Sequence, residues 1–376
     1  MSKTLVIILG ETRAHELTFD SFKKNVIDEL NADLCLCIGV TPDYDYNNPF
    51  YKSAKYKFLH NELDDFGGDF DSAYNIISKD RPKYEKLENI ICLNNDMQNS
   101  QNIKCYENHE KDNFDFNIID DDEIVIYDNN FPHDFLKNKV FGKKISNIND
   151  YFGIHKNVTT YKKPLHWREF LKIKDHIFGG IKDNQNQHRG SAGMLIFFRW
   201  FLLQNLISNN LINEYDRFII TRSDYIYQLP HPKIKFMNDT CIWIPDSEHY
   251  DGCTDRHAVL SKNNIEIYLN ILNNLVLKSN DYFIKMKNKF DWNIERLIKF
   301  HLNQNNVLHL VKEFPYVMYS VRNINGKTSW SVGEYSHDLC YYIKYPSEHN
   351  KSTYYKNEFE KSGLTIDEFY NKYILR

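Results

Sequence analysis

Most of the short motifs that announce a chemistry are missing from this chain. It has no G-x-G-x-x-G, no H-E-x-x-H and no serine nucleophile elbow, so dinucleotide oxidoreductases, zinc peptidases and serine hydrolases lose their sequence support. Asn325-Gly-Lys-Thr328 has the end of a P-loop, but Val321 stands where the leading glycine belongs. The seven cysteines (35, 37, 92, 105, 241, 253 and 340) contain no Cys-x-x-Cys pair. An odd, scattered set in a large chain is not a disulfide framework and implies reduced thiols. Neither sign of charge dominates, with 47 Lys and Arg against 51 Asp and Glu, so nothing points to nucleic acid or to an acidic membrane surface. Long apolar runs are absent too. Leu5–Leu9 is shorter than the ~7–15 residues of a signal-peptide core, and Met194–Ile207 is interrupted by Arg199. The expectation is a cytoplasmic protein with no transmembrane segment, in which the sequons at Asn157, Asn238 and Asn350 are coincidental. No internal repeat is visible.

What is present is aromatic: 26 Tyr and 25 Phe in 376 residues, a composition suited to stacking on sugars and bases. Asn, Lys, Ile and Tyr are common throughout, however, and compositional bias weakens that argument. The more informative stretch is Tyr215–Tyr227, an apolar, β-branched and aromatic run that reads as one buried strand, Phe218–Tyr227. In its middle stand Arg222 and Asp224, two residues apart and so on one side of a strand. A charge inside such a run needs a partner, a hydrogen bond or a metal. Either Arg222 and Asp224 pair with each other, or Asp224 receives a metal ion or a sugar hydroxyl.

In chain order, Thr4–Leu9 reads as a buried strand, Glu16–Leu30 as a helix and Ala32–Val40 as a second strand. This is the opening of a parallel sheet, in which ligands sit beyond the carboxyl ends of the strands. Gly10, Thr12 and Arg13 fall at that edge, where Arg13 suits a phosphate or a uracil carbonyl. Residues 41–165 form a polar insertion, with strands at Leu87–Leu93 and Glu123–Tyr127 and a solvated acidic loop at Asp112–Glu123. Met194–Leu211 is apolar all round and reads as a core helix, and Arg189 and Gly190 at its head offer an anion site. Cys241–Pro245 is a further short strand near the first. It leads into Asp246–His257, where Asp251, Asp255, Arg256 and His257 crowd around Gly252 as a pivot. His249, Cys253 and His257 are spaced four apart, but glycine and threonine between them disfavour the helix a zinc site there would need. Ile265–Leu277 and Asp291–Leu302 read as amphipathic helices, the second carrying Glu295. Val307–Val311 and Tyr316–Val321 read as strands, and residues 336–376 as a polar, tyrosine-rich extension with one helix, Ile366–Tyr373.

Gly10-Glu-Thr-Arg13 after the first strand, Thr221-Arg-Ser-Asp224, Tyr250–Arg256 and Asn293-Ile-Glu295 together resemble GT-A glycosyltransferases of bacterial capsule and lipopolysaccharide loci and of large DNA viruses. The resemblance implies an α/β, Rossmann-like, mostly parallel mixed sheet flanked by helices. It assigns residues 1–335 to the catalytic domain and 336–376 to an extension. It implies transfer of a sugar from a nucleotide-sugar donor to a glycan or lipid-linked hydroxyl. Gly10, Thr12, Arg13, Arg189, Gly190, Arg222 and Asp224 would hold the donor, Arg256 and His257 the acceptor or leaving phosphate. Asp255 would be the general base, with Asp251 and Glu295 in reserve. Asp224 would carry Mn²⁺ or Mg²⁺. The family's Asp-x-Asp reads Arg222-Ser-Asp224 here, so cations could replace the metal. Two alternatives remain: a nucleotide- or carbohydrate-binding protein without catalysis, and a metal-dependent phosphohydrolase built on the acidic loop.

Overall fold

The computed structural model describes residues 2–82, 85–86, 123–127, 158–173, 177–182, 188–287, 292–323 and 333–374. The expected strand Leu87–Leu93, the P-loop-like Asn325–Thr328 and most of Asp112–Glu123 lie outside them. The chain forms two compact units. One comprises Met1–Ser72, Lys174–Leu272 and Phe290–Arg376, the other Ala73–Ile173 and Asn273–Lys289.

Fourteen strands are described: β1 (Thr4–Gly10), β2 (Asp33–Val40), β3 (Tyr56–Asn61), β4 (Glu85–Lys86), β5 (Glu123–Tyr127), β6 (Val158–Lys162), β7 (Arg217–Thr221), β8 (Tyr225–Tyr227), β9 (Ile242–Pro245), β10 (Ala258–Ser261), β11 (Val311–Phe314), β12 (Met318–Arg322), β13 (Glu334–Ser336) and β14 (Tyr341–Ile343). In the first unit a seven-stranded sheet runs β11-β9-β10-β7-β1-β2-β3. Its strands are parallel except β10, which is antiparallel to both neighbours. The expected α/β architecture with a mostly parallel mixed sheet is therefore present. The middles of β1 and β7 are apolar because both faces of the sheet are covered, and Leu5–Ile8 and Phe218–Ile220 are buried. The second unit holds an antiparallel sheet, β4-β6-β5. There the buried Glu85 carboxylate accepts the backbone N–H groups of Ser279 and Asn280 at the head of helix Ser279–Lys287. A carboxylate at that position satisfies amides that have no partner within the helix.

Several expectations change. Phe218–Tyr227 is not one strand. β7 stops at Thr221, the chain turns through Arg222-Ser-Asp224, and β8 resumes in a different sheet, ordered β13-β14-β12-β8. Cys241–Pro245 shares a sheet with β1, but β10 and β7 stand between them. The helix expected over Glu16–Leu30 is helical from His15 to Phe22 and then widens into a π turn, Lys23–Asp28. Ile265–Leu277 breaks at Asn270 into two short helices.

The 41–165 stretch is not wholly an insertion, since β3 within it forms an edge of the large sheet. Nor is 336–376 an appended tail. Its helices Pro346–Ser362 and Ile366–Ile374 place Tyr355, Phe369, Tyr370 and Ile374 in one apolar core with Val6, Ile219 and Trp243. No helix among the described residues is long and apolar enough to cross a membrane.

Because Phe369 is buried in this shared core, Phe369→Ala should cost about 3–5 kcal/mol of unfolding free energy, the usual penalty for emptying a phenylalanine site. Urea denaturation reads this directly. A loss below about 0.5 kcal/mol, the size of a surface substitution, would show that the C-terminal helices are not part of the core.

Candidate functional site

The register of three strands gathers the site. β1 and β7 run parallel with Ile7 opposite Ile220 and Ile8 opposite Thr221, so Gly10–Arg13 and Arg222–Asp224 leave the sheet at the same carboxyl edge. β10 runs the other way, with Ala258 opposite Ile220, so the residues entering it, Asp255 and Arg256, arrive at that edge too. The result is a cavity of about 90 Å³ lined in part by Gly10, Arg13, Arg222, Asp224, Asp255 and Arg256. Three stretches far apart in the sequence thus converge at the edge where α/β sheets place their ligands. Gly10 has φ +106°, a left-handed conformation that costs glycine little and other residues more. Ser223, overlooked in the sequence, ties two of the stretches together. Its hydroxyl donates to the Glu11 carbonyl at 2.7 Å and accepts the Arg13 N–H at 2.8 Å.

Asp224 is buried and paired twice. Arg222 donates through Nε and Nη2 at 2.9 and 2.8 Å, and Arg322, at the end of β12, donates to the same carboxylate. Burial alone would raise the carboxyl pKa, but Arg222 and then Arg322 and Lys344 outweigh it and hold the group well below the usual carboxylate range. Arg322 is itself buried, and its Nε and Nη2 have no hydrogen-bond partner among the described residues. These arrangements do not fit the expected Mn²⁺ or Mg²⁺. Both oxygens of Asp224 already accept guanidinium protons, and cations surround the position a second cation would take. Among the described residues no group of three His, Cys, Asp or Glu side chains is placed to hold a metal, and the His249/Cys253/His257 spacing forms no such group.

Asp255 and Glu295 are brought together; Asp251 is not. Asp255 lines the cavity, and its backbone carbonyl accepts from the buried Arg199 at 3.3 Å. Glu295 lies in the first turn of helix Ile294–Gln304. Burial, then the nearby charge of Asp255, pushes its pKa up to about 8. Gly252 permits this approach, since a Cβ there would stand 2.0 Å from the Glu295 carbonyl carbon. The Cys253 N–H donates to the Glu295 carbonyl at 3.0 Å. The glycine is therefore a close-packing position, not the expected pivot. Backbone strain lies beside it: Glu248, Tyr250 and Asp251 all have positive φ, each costing of order 1 kcal/mol. Asp251 itself is 80% exposed and pairs with Arg296 at 2.6 Å, away from the cavity.

The remaining expectations divide. Arg256 reaches the cavity, but its Nη1 is held by Glu248 at 2.6 Å and Glu348 at 2.8 Å, and its guanidinium lies 4.4 Å from the Tyr345 ring centre. Its main work is to brace the loop. His257 is no phosphate or acceptor ligand. It is fully buried, with Nδ1 at 3.0 Å from Thr221 Oγ1 and Nε2 at 3.2 Å from His231 Nε2, and burial keeps it neutral. Thr12 hydrogen-bonds Tyr44 at 2.9 Å and does not line the cavity. Arg189 is exposed, and Ser191, not Gly190, lines the wall at the head of helix Ala192–Ser208. Two contributors had gone unread: Arg322 and Lys344, the latter in the supposed tail.

Searches against protein-family models, curated proteins and solved structures returned no match for this chain.

The Glu295 proton gives a stability signature. In the folded chain it is retained up to about pH 8, whereas an unfolded glutamate releases it near ~4.3. Between those values the folded state binds more protons, so stability falls as pH rises. Glu295→Gln should flatten that fall, seen as a smaller shift of denaturation midpoint between pH 5.5 and 8.5. An unchanged shift would refute the assignment.

Proposed function

We propose that this chain is a glycosyltransferase that moves a sugar from a nucleotide-sugar donor to a hydroxyl of a glycan or lipid-linked acceptor. The observation that carries the reading is the meeting of Gly10–Arg13, Arg222–Asp224 and Asp255 in one cavity at the carboxyl edge of the sheet. In this reading the acceptor oxygen attacks the anomeric carbon while the bond from that carbon to the phosphate oxygen breaks. Asp255 takes the acceptor's proton as general base. Glu295, holding its own proton near neutrality, limits the negative charge behind Asp255. Guanidinium groups of Arg222, Arg322 and Arg13 supply the field that stabilises the departing diphosphate, in the role a divalent metal has elsewhere.

A second reading rests on Asp224. Its complete engagement by two arginines also suits a protein that binds a nucleotide or glycan without turning it over. Turnover separates the two.

In a thermal-shift panel of nucleotide sugars, one donor at about 100 times its Kd should stabilise the fold by about 2.7 kcal/mol, with or without Mn²⁺. Asp255→Asn should keep that shift and lower transfer roughly 10²–10⁴-fold. A panel in which no donor stabilises the protein would remove the transferase reading, and a shift without transfer in the unsubstituted protein would select the binding reading.

A further inference from the structure

Lys344 follows β14 directly and is fixed there by its backbone N–H, which donates to the Ser320 carbonyl at 2.9 Å. Only 6% of the residue is exposed, yet it lines the cavity. It has no carboxylate within ion-pair distance among the described residues. A buried lysine without an acidic partner is costly, because its ammonium loses hydration; the Tyr345 ring, 4.9 Å from Nζ, returns only part of that. Here its neighbours make matters worse. Burial and the charges of Arg222, Arg322 and Arg13 disfavour the ammonium, the charge of Asp224 opposes them, and the pKa of the amine falls to about 6.

The same wall carries the head of helix Ala192–Ser208, contributed by Ser191, Met194 and Leu195. The first turn has no acidic residue and the Ser191 side chain makes no capping hydrogen bond. The Gly193 N–H is taken by the Gly179 carbonyl at 3.0 Å, but the head of the helix, the positive end of its dipole, borders the same cavity as Lys344. The cavity is about 90 Å³, well under the ~300–1,000 Å³ of a cleft enclosing a whole ligand. It suits one charged group of a larger molecule.

We propose that Lys344 and the head of helix Ala192–Ser208 form a phosphoryl-binding subsite, in which the lysine contacts a phosphate or diphosphate group directly. This deepens the transferase reading by naming the anchor for the donor's phosphates, and rests on it for the rest of the donor. An arriving anion supplies the missing partner, so the amine is charged when the ligand is bound. The burden on the free protein is relieved on binding.

Inorganic pyrophosphate is the probe, titrated calorimetrically into the full chain without added metal. The unsubstituted protein should bind it; Lys344→Met should bind at least about tenfold more weakly, and Lys344→Arg should recover much of the loss. The methionine variant should melt no lower than the parent, since it removes an unpaired buried amine. A second measurement needs no substitution: pyrophosphate should slow acetylation of Lys344 by acetic anhydride, read by mass spectrometry, while leaving the exposed Lys24 unchanged. Equal affinity in parent and Lys344→Met, no pyrophosphate binding by the parent, or no protection of Lys344 would each overturn the subsite. Pyrophosphate binding lost with Lys344→Met, alongside no transfer from any nucleotide sugar, would keep the subsite and reject the transferase.

Discussion

The carboxylate of Asp224 between the guanidiniums of Arg222 and Arg322 is the interaction on which the site's shape depends. It lies where the chain leaves the large sheet, and the Asp224 carbonyl also accepts the Val321 N–H at 2.9 Å. Backbone and side chain together fix the corner between β7 and β8. An ion pair this deep is no simple gain, because desolvation opposes it, but removing one member leaves its partners charged and buried. The arrangement is therefore locked more than it is stabilised. A locked corner lets Ser223 hold the loop after β1, and the loop after β1 brings Arg13 to the cavity.

Around this triplet the charges are arranged so that few are free to move. Arg13 pairs with Glu11, Arg256 with Glu248 and Glu348, and Glu348 in turn accepts from the Ser320 N–H and hydroxyl at 2.7 and 2.6 Å. The first two pairs hold their own loops, and Glu348 ties helix Pro346–Ser362 to the loop before β10 and to β12. Glu295 and Lys344 are both displaced toward their neutral forms, one shifted up and the other down. Burial is the first cause of both shifts, since it disfavours the charged form of either group.

Much of the scaffold was legible in the sequence, and for a physical reason. β1, β2 and β7 are covered on both faces, so their residues are apolar without alternation and announce themselves. The sheet change at Arg222–Asp224 was not legible, because period and polarity describe a strand and carry no information about its partner. The unusual charges were the available signal, and they marked a joint in the chain. Asp255 stood out in the charged loop around Gly252 and Glu295 at the start of a helix, and the structure places their charges near each other. His257 stood out equally, yet it faces inward to Thr221 and His231. Direction is set by packing, which a single sequence does not display. Lys344 and Glu348 sat in a tyrosine-rich stretch without periodic pattern, and their importance comes from where helix Pro346–Ser362 docks.

That docking has a temporal consequence. Arg256 is braced by a residue 92 positions further along the chain, and the cavity wall needs Lys344. During synthesis the strands of the large sheet emerge before the brace, the cavity wall and the C-terminal helices that complete their core. Nascent chains ending before Glu348 would leave the ribosome with an arginine lacking one of its two carboxylates. The loop before β10 therefore takes its final shape only after helix Pro346–Ser362 is made.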